Sequence, residues 1–423
     1  MKSARRSGVD KISNLPCNVL DGILGCLSLK DAVKTSILSK NWRYNWVTRT
    51  ELDFDYHLFR SLAHEQEANT IIYQVLLLHK GPILNFILSG SNLISFPEID
   101  HWILFLSKKN VQKFTLQIYS RNSYHLPSHL FTFKQLRHLE LGMCLFHPPP
   151  GFKGFEKLIN LDLKDVTFVP AVLKNLISRS PLLERLRLCW CTNFDTLEID
   201  AVNLKCFAFR GASKSICFKN APMLRKANVY LTSPASADAS PVCSNLTKFF
   251  CYMPRLMELD IGGFLLKYLT MGGLPENALT TLNNVKSLRI GGMLFRTVEE
   301  VSCVIYLISS CPKLQELTIE CETMNTMNDV AEPIVQFLRD QSSLCGVVKI
   351  LQRVYMCMFS GLEMEIEFVR SILAYAPVLE EISIWNYSCL LIQTGKQLTD
   401  KMKQFHQASP NVEIIVDEVD VED

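Results

Sequence analysis

Five times along this chain a proline stands two residues ahead of a short leucine-patterned stretch, and that pairing limits the possible folds most tightly. The stretches read PLLERLRL from Pro181, PMLRKANV from Pro222, PRLMELDI from Pro254, PKLQELTI from Pro312 and PVLEEISI from Pro377. After the first 50 residues the strict pattern L-x-x-L-x-[LI] begins at Leu136, Leu158, Leu183, Leu256 and Leu314, and looser versions begin at Ile83, Val111, Leu204, Leu224, Val285 and Leu379. Most neighbouring starts lie 20 to 32 residues apart. Proline has no amide donor and pushes the residue before it out of helical backbone, so it ends a helix just before a strand begins. Upstream, AVLKNLISRS, VSCVIYLISSC and FVRSILAYA carry apolar positions at helical spacing. Each unit therefore reads as helix, proline stop, strand. A chain of such units is a solenoid.

The strands set the rest of the reading. Side chains alternate across a strand, so Leu139 and Leu141 point inward while His138 and Glu140 face out. One unit cannot cover its own apolar side, and the core exists only when neighbours stack. The fold class that follows is α/β, a leucine-rich-repeat horseshoe. Strand parity places Lys113, His138, Glu140, Asp162, Lys164, Arg185, Arg187 and Arg210 on the concave face, followed by Tyr230, Glu258, Asp260, Arg289, Glu316, Glu320, Glu381 and Trp385. The basic positions fall in the middle units and the acidic ones later. Arg185, Arg187, Arg210, Tyr230, Arg289 and Trp385 are the candidate target contacts, with Trp385 favoured because exposed aromatics concentrate binding energy. Cys144 and Cys191 each follow the last strand leucine by three residues, a position the repeat buries. Gly262-Gly263 and Gly291-Gly292 directly follow repeat strands, where turn geometry accounts for them; Gly272-Gly273 makes a third pair.

A different pattern precedes the repeats, in DKISNLPCNVLDGILGCLSLKDAVKTSILSKNWRYNWVTRTELDFD. Pro16 suits the first turn of a helix, and Val19, Leu20, Ile23, Leu24 and Leu27 form one stripe on it. Ser28 and Asp31 have capping spacing for a second helix, with Ala32, Val33, Ile37 and Leu38 on its buried side. Ser39 or Asn41 is placed to cap a third helix bearing Trp42 and Trp46. Three short helices cannot close a core alone, so they need a partner surface, either the rest of this chain or another protein. Spacing by itself fits an N-terminal cap on the solenoid equally well.

These residues closely resemble the F-box of the plant F-box/FBD/leucine-rich-repeat protein family. The resemblance runs through Ile12, Ser13, Leu15 and Pro16, then Ile23, Leu24 and Leu27, then Lys30 to Val33 and Thr35 to Lys40. It continues with Trp42, Arg43 and Trp46 and ends on Leu52 to Asp55. The sequence departs from the family at Cys17 and Asn18, where an acidic pair is usual, at Cys26, where a large apolar residue is usual, and at Ser28, where proline is. GVVKILQRVYMCMFSGLEMEIEFVRSILAYAPVLEEISIW resembles the family's FBD module: strand, glycine-containing turn, helix ending at Ala-Pro, and strand. The resemblance implies docking onto a Skp-type adaptor, and through it a cullin–RING ubiquitin ligase. The implied adaptor contacts are Leu15, Pro16, Val19, Leu20, Ile23 and Leu24, with Leu27, Val33, Leu38, Trp42 and Trp46. Together with the residue patterns it gives an expected organisation: 1–11 a flexible N-terminus, 12–50 F-box, 51–80 a helical linker, 81–341 leucine-rich repeats, 342–416 an FBD-like module and 417–423 an acidic tail.

Other function classes lack support in the sequence. It has no GxSxG, P-loop, HExxH or GxGxxG, and its 9 histidines do not cluster with carboxylates or cysteines at ligand spacing. No catalyst, metal or cofactor is therefore expected. With 44 basic against 42 acidic residues the chain has no basic excess for a nucleic-acid partner. No run of 18 apolar residues marks a membrane span, and the 15 cysteines include no CxxC. The expected setting is the reducing nucleus or cytoplasm. Two functions fit: a non-catalytic target receptor of a ubiquitin ligase, or a leucine-rich-repeat scaffold or competitor whose F-box docks weakly.

Overall fold

The computed structural model describes residues 15–38, 42–55, 58–59, 65–90, 98–118, 123–232, 246–270, 273–275, 278–322, 331–340, 344, 346–387 and 394–419. Residues 1–14, with Ile12 and Ser13, lie outside this set, as do the expected caps Ser39 and Asn41, Lys40, Gly272 and residues 420–423. The chain divides into two units, Met1–Leu182 and Leu183–Asp423.

In the first unit, Pro16 stands directly before the helix Cys17–Gly25 and its carbonyl accepts the amides of Val19 and Leu20. Ser28 caps the next helix, Leu29–Lys34: its Oγ accepts the Asp31 amide at 3.1 Å, as the spacing predicts. A Ser28→Ala variant should lower stability by about 1 kcal/mol, read from the midpoint of urea unfolding. The second helix gives way after Lys34 to a tight 3-10 turn, Thr35–Ile37, and the described part of the expected third helix holds only a 3-10 turn, Asn45–Thr48. That change has a consequence for the apolar stripe. A 3-10 turn advances each residue further around the axis than an α-helix does, so Ile37 and Leu38 rotate off the buried side and stand exposed, while Ala32 stays buried.

Behind this block runs an open parallel sheet of Glu51–Phe54, Asn85–Gly90, Lys113–Ile118, His138–Gly142 and Asn160–Lys164. The ladder therefore begins at Glu51, inside the segment read as linker. The ELDF alternation is a short strand in its own right, with Leu52 and Phe54 buried. The helical part of that segment is present as Glu65–Leu78. Inward phenylalanines stack beneath the sheet: Phe86 lies on Phe114 with centroids 5.8 Å apart, and Phe133 meets Phe114 edge-on at 5.5 Å.

In the second unit, too, the sheet is open and parallel. The strands run Arg185–Cys189, Cys206–Gly211, Lys226–Leu231, Glu258–Gly262, Ser287–Met293, Glu316–Cys321, Arg353–Cys357, Glu381–Tyr387 and Glu413–Val419. One device fixes the register as far as Glu381–Tyr387. A carbonyl just ahead of the strand accepts two consecutive amides from the next repeat, as Lys286 O does from Gln315 and Glu316 at 2.8 and 3.0 Å. The prolines do more than stop helices. Each occupies the second position of a β-turn, which suits its fixed φ; the Met253 carbonyl accepts from Leu256 across Pro254, and Cys311 from Leu314 across Pro312. Helices Val172–Ser178, Leu246–Phe250, Val298–Ser309 and Glu363–Tyr375 lead into four of these turns. Pro222 differs. The segment before it is a strand, Ser215–Asn220, paired with Thr196–Asp200. That unit is too short to hold a helix and covers its core with an edge ladder carrying buried Ile216 and Phe218.

At the C-terminal end, strand Arg353–Cys357, a turn at Gly361, helix Glu363–Tyr375 and strand Glu381–Tyr387 follow the expected FBD order. Asp417 to Val419, read as tail, belong to the last strand, where they pair with Trp385 to Tyr387. The alternation EIIVDEV continues the strand through the acidic residues.

Candidate interaction surfaces

The N-terminal block is held to the ladder behind it through its backbone. Arg49 Nη1 donates to the carbonyls of Leu27 at 3.1 Å and Ser28 at 3.4 Å, closing the end of the first helix. His79 Nε2 bonds the Arg49 carbonyl at 2.7 Å, and the Lys80 amide donates to Val47 O at 3.0 Å. Burial holds the His79 imidazole below its ordinary pKa, consistent with a neutral ring that donates from Nε2.

The expected adaptor contacts separate into two sets. Leu20, Leu24, Trp42 and Trp46 are buried, so the tryptophans face the rest of this chain. Val19 and Ile23, one helical turn apart, are exposed, and so is Leu38 at 66%. Pro16 is exposed, while Leu15, Leu27 and Val33 are half-buried. Sequence reasoning placed Ile37 among buried residues, yet it is 85% exposed. Exposed apolar residues at this density in so short a block are the mark of an interaction site.

On the strand faces of the second unit the outward positions follow parity, but their charges are unequally engaged. Lys226 and Glu258 pair at 2.5 Å, Arg289 and Glu320 at 3.1 Å, and Arg353 pairs with Glu316. Tyr230 donates its hydroxyl to Asp260 Oδ1 at 2.6 Å, and Asn228 donates to Oδ2 at 2.6 Å. Burial raises the Asp260 carboxyl above its ordinary value, and burial with the Asp260 bond raises the Tyr230 phenol. Arg210 lies 5.0 Å over the Tyr230 ring. Arg185 and Arg187 project outward from one strand, two residues apart. Trp385 is exposed and packs on Tyr355 with centroids 5.8 Å apart, a neighbour that parity could have supplied, since the two lie on adjacent strands. Thus Arg210, Tyr230 and Arg289 come together, whereas Trp385 belongs to a separate aromatic pair. Cys144 and Cys191 are buried, where the repeat puts them.

Sequence reasoning missed a cavity of about 700 Å³ beside Tyr230. It exists because Gly262 and Gly291 stand opposite one another on paired strands. A Cβ on Gly291 would come within 2.7 Å of the Tyr230 ring, and one on Gly263 within 2.4 Å of Gly292 O. The glycines thus serve close approach as well as turning, although Gly292 does adopt a positive φ of 68°. The detectable signal was two glycine pairs one repeat apart.

No helix among the described residues is long and apolar enough to cross a membrane.

Comparison with family models agrees with this geometry. The family model for the F-box domain matches residues 12–48. The model described as FBD-associated F-box protein At5g56370, LRR repeats, matches residues 99–319. The chain is 34% identical over 384 residues to the Arabidopsis thaliana F-box/FBD/LRR-repeat protein At1g13570, covering 89% of this chain and 91% of that one. It is 26% identical over 351 residues to the Arabidopsis thaliana F-box/LRR-repeat protein At5g02910, covering 76% and 74%. A solved LRR protein of Leptospira interrogans aligns over 92% of this chain and 94% of its own at 16% identity and a TM-score of 0.36.

Proposed function

Since the chain belongs to the plant F-box/FBD/LRR-repeat protein family, we propose that it is the substrate-recognition subunit of a cullin–RING ubiquitin ligase. The F-box docks a Skp-type adaptor, and the outward strand faces of the repeats hold a target protein. Such a subunit makes and breaks no bonds itself. It works by raising the effective concentration of the target beside the ligase. The observation that carries this reading is the exposure of Val19, Ile23, Ile37 and Leu38 above a layer of buried Leu20, Leu24, Trp42 and Trp46. The buried layer fixes the block, and the exposed residues are free to enter a partner. The reading places the protein in the nucleus or cytoplasm.

One observation favours the scaffold reading. The helix Cys17–Gly25 has no acidic residue in its first turn and no side-chain cap, so its N-terminus offers an adaptor little charge to engage.

Co-purification with a Skp-type adaptor separates the two. The unmodified chain should retain the adaptor at micromolar concentration. An Ile37→Asp, Leu38→Asp double variant should bind about 100-fold more weakly or worse, because two exposed anchors are lost together. Its thermal midpoint should not move, since neither side chain is buried. A Leu15→Ala, Pro16→Ala variant should weaken binding as well. If the unmodified chain retains no adaptor, the ligase reading fails and the scaffold reading stands. Equal retention by all forms would mean that the docking residues lie elsewhere.

A further inference from the structure

The cavity beside Tyr230 has an apolar middle with an uncompensated base at one end and uncompensated acids at the other and on its wall. Its floor is the bare backbone of Gly262, Gly291 and Gly292, and its walls include Phe264, Leu294 and Met358. Most charged groups around it already have partners. Asp260 is taken by Tyr230 and Asn228, and Glu320 by Arg289. Glu300 accepts the amides of Leu294 and Arg296 at 2.9 and 3.1 Å. Three groups differ. Glu299, on the wall, is exposed and has no side-chain partner among the described residues. Arg210 rests on the face of Tyr230 and has no carboxylate in ion-pair range among the described residues. At the other end Glu322 is exposed, its Oε2 near Gly292, and it has no side-chain partner among the described residues.

The distance between these charges suggests an occupant. Arg210 stands on the ring of Tyr230 and Glu322 beside Gly292, and the backbone positions of Tyr230 and Gly292 are two strand steps and hence about 10 Å apart. An extended chain rises about 3.3 Å per residue, so it covers that gap in about three residues. A register shift between Ile290 and Met293 sets Gly291 and Gly292 together against Glu320. Such a bulge leaves backbone donors and acceptors outside the ladder. A peptide brings matching backbone groups, which an apolar small molecule lacks. The volume lies within the range of about 300–1,000 Å³ that binding clefts span.

We propose that this cavity holds an extended segment of the target: an acidic residue on Arg210, two or three apolar residues over the glycine floor, and a basic residue on Glu322. This rests on the reading of the repeats as the target-binding face.

The test uses the full chain and capped, fluorescein-labelled peptides with glutamate at one end, lysine at the other and one to five leucine or phenylalanine residues between. Fluorescence polarisation should show tightest binding with a spacer of two or three, about tenfold tighter than the same peptide with glutamine at both ends. Glu322→Lys should weaken the glutamate–lysine peptide and strengthen its glutamate–glutamate counterpart. Arg210→Glu should do the same for the lysine–lysine peptide. Binding that ignores the end charges would overturn the proposal and leave an apolar small-ligand site. Binding unchanged in both variants would place the segment elsewhere, and no binding at millimolar peptide would remove the site altogether. Adaptor co-purification on the same preparation keeps the two readings apart. Adaptor retained without peptide binding defeats this inference alone, and peptide bound without adaptor defeats the ligase reading alone.

Discussion

A Glu365→Ala variant should lose about 3 kcal/mol or more of folding stability, measured by urea denaturation, because one oxygen of this carboxyl organises a whole buried turn. Glu365 Oε2 accepts the amides of Ser360, Gly361 and Leu362 at 3.0, 2.8 and 3.0 Å, just where the chain enters the helix Glu363–Tyr375. Removing it strands three amides in the interior, where water cannot reach them. Burial is also strong enough to push the Glu365 carboxyl up to about 7, with the three amides pulling the other way. The folded state therefore binds a proton that the unfolded state has released in the window between the ordinary value of 4.5 and about 7. The stability this supplies is complete below the lower value and disappears as pH rises through the upper one. The urea midpoint should thus fall between pH 5 and pH 8, by an amount equivalent to about 3 kcal/mol for this group. Glu365→Gln keeps an acceptor oxygen but no titration, so its midpoint should show a much flatter pH dependence. Parallel slopes in the two proteins would rule out the assignment.

Phe114→Ala should be as damaging for a different reason. The ring is fully buried, stacked on Phe86 and met edge-on by Phe133. Truncating a buried phenylalanine costs about 3–5 kcal/mol, the transfer term plus the void left behind. The void has little chance to collapse here. Phe86 hangs from a strand whose register is pinned by paired amides on a single carbonyl, so it cannot slide inward. Leu77→Ala on the exposed face of Glu65–Leu78 should stay within about 0.5 kcal/mol of the unmodified protein. A similar loss in both would show that the urea transition does not report this core.

What the sequence made legible followed from strict periodicity. Leu139, Leu141, Leu186 and Leu188 could be assigned inward because a regular strand alternates, and the same rule put His138 and Arg187 outward. The proline-ended helices were legible because proline acts locally. The failures were tertiary. Ile37 and Leu38 looked buried while the helix was extended in register, but a tighter final turn rotates them into solvent. Pro222 carries the same local signal as Pro254, yet the chain before it is too short for a helix and forms an edge strand. The cavity was invisible because it depends on Gly262 and Gly291 lying side by side, a relation between repeats that neither repeat displays alone.

The two terminal strands have a consequence for self-association. A parallel ladder invites another copy to add on, because its outer strands keep a row of unused donors and acceptors. Here Glu51–Phe54 begins the first unit's ladder with Glu51 and Asp53, and Glu413–Val419 ends the second unit's with Glu413 and Asp417. A copy of either strand laid antiparallel against itself would set acid beside acid, and like charges directly opposite disfavour pairing. The acidity of each edge thus works against the addition of a second copy there.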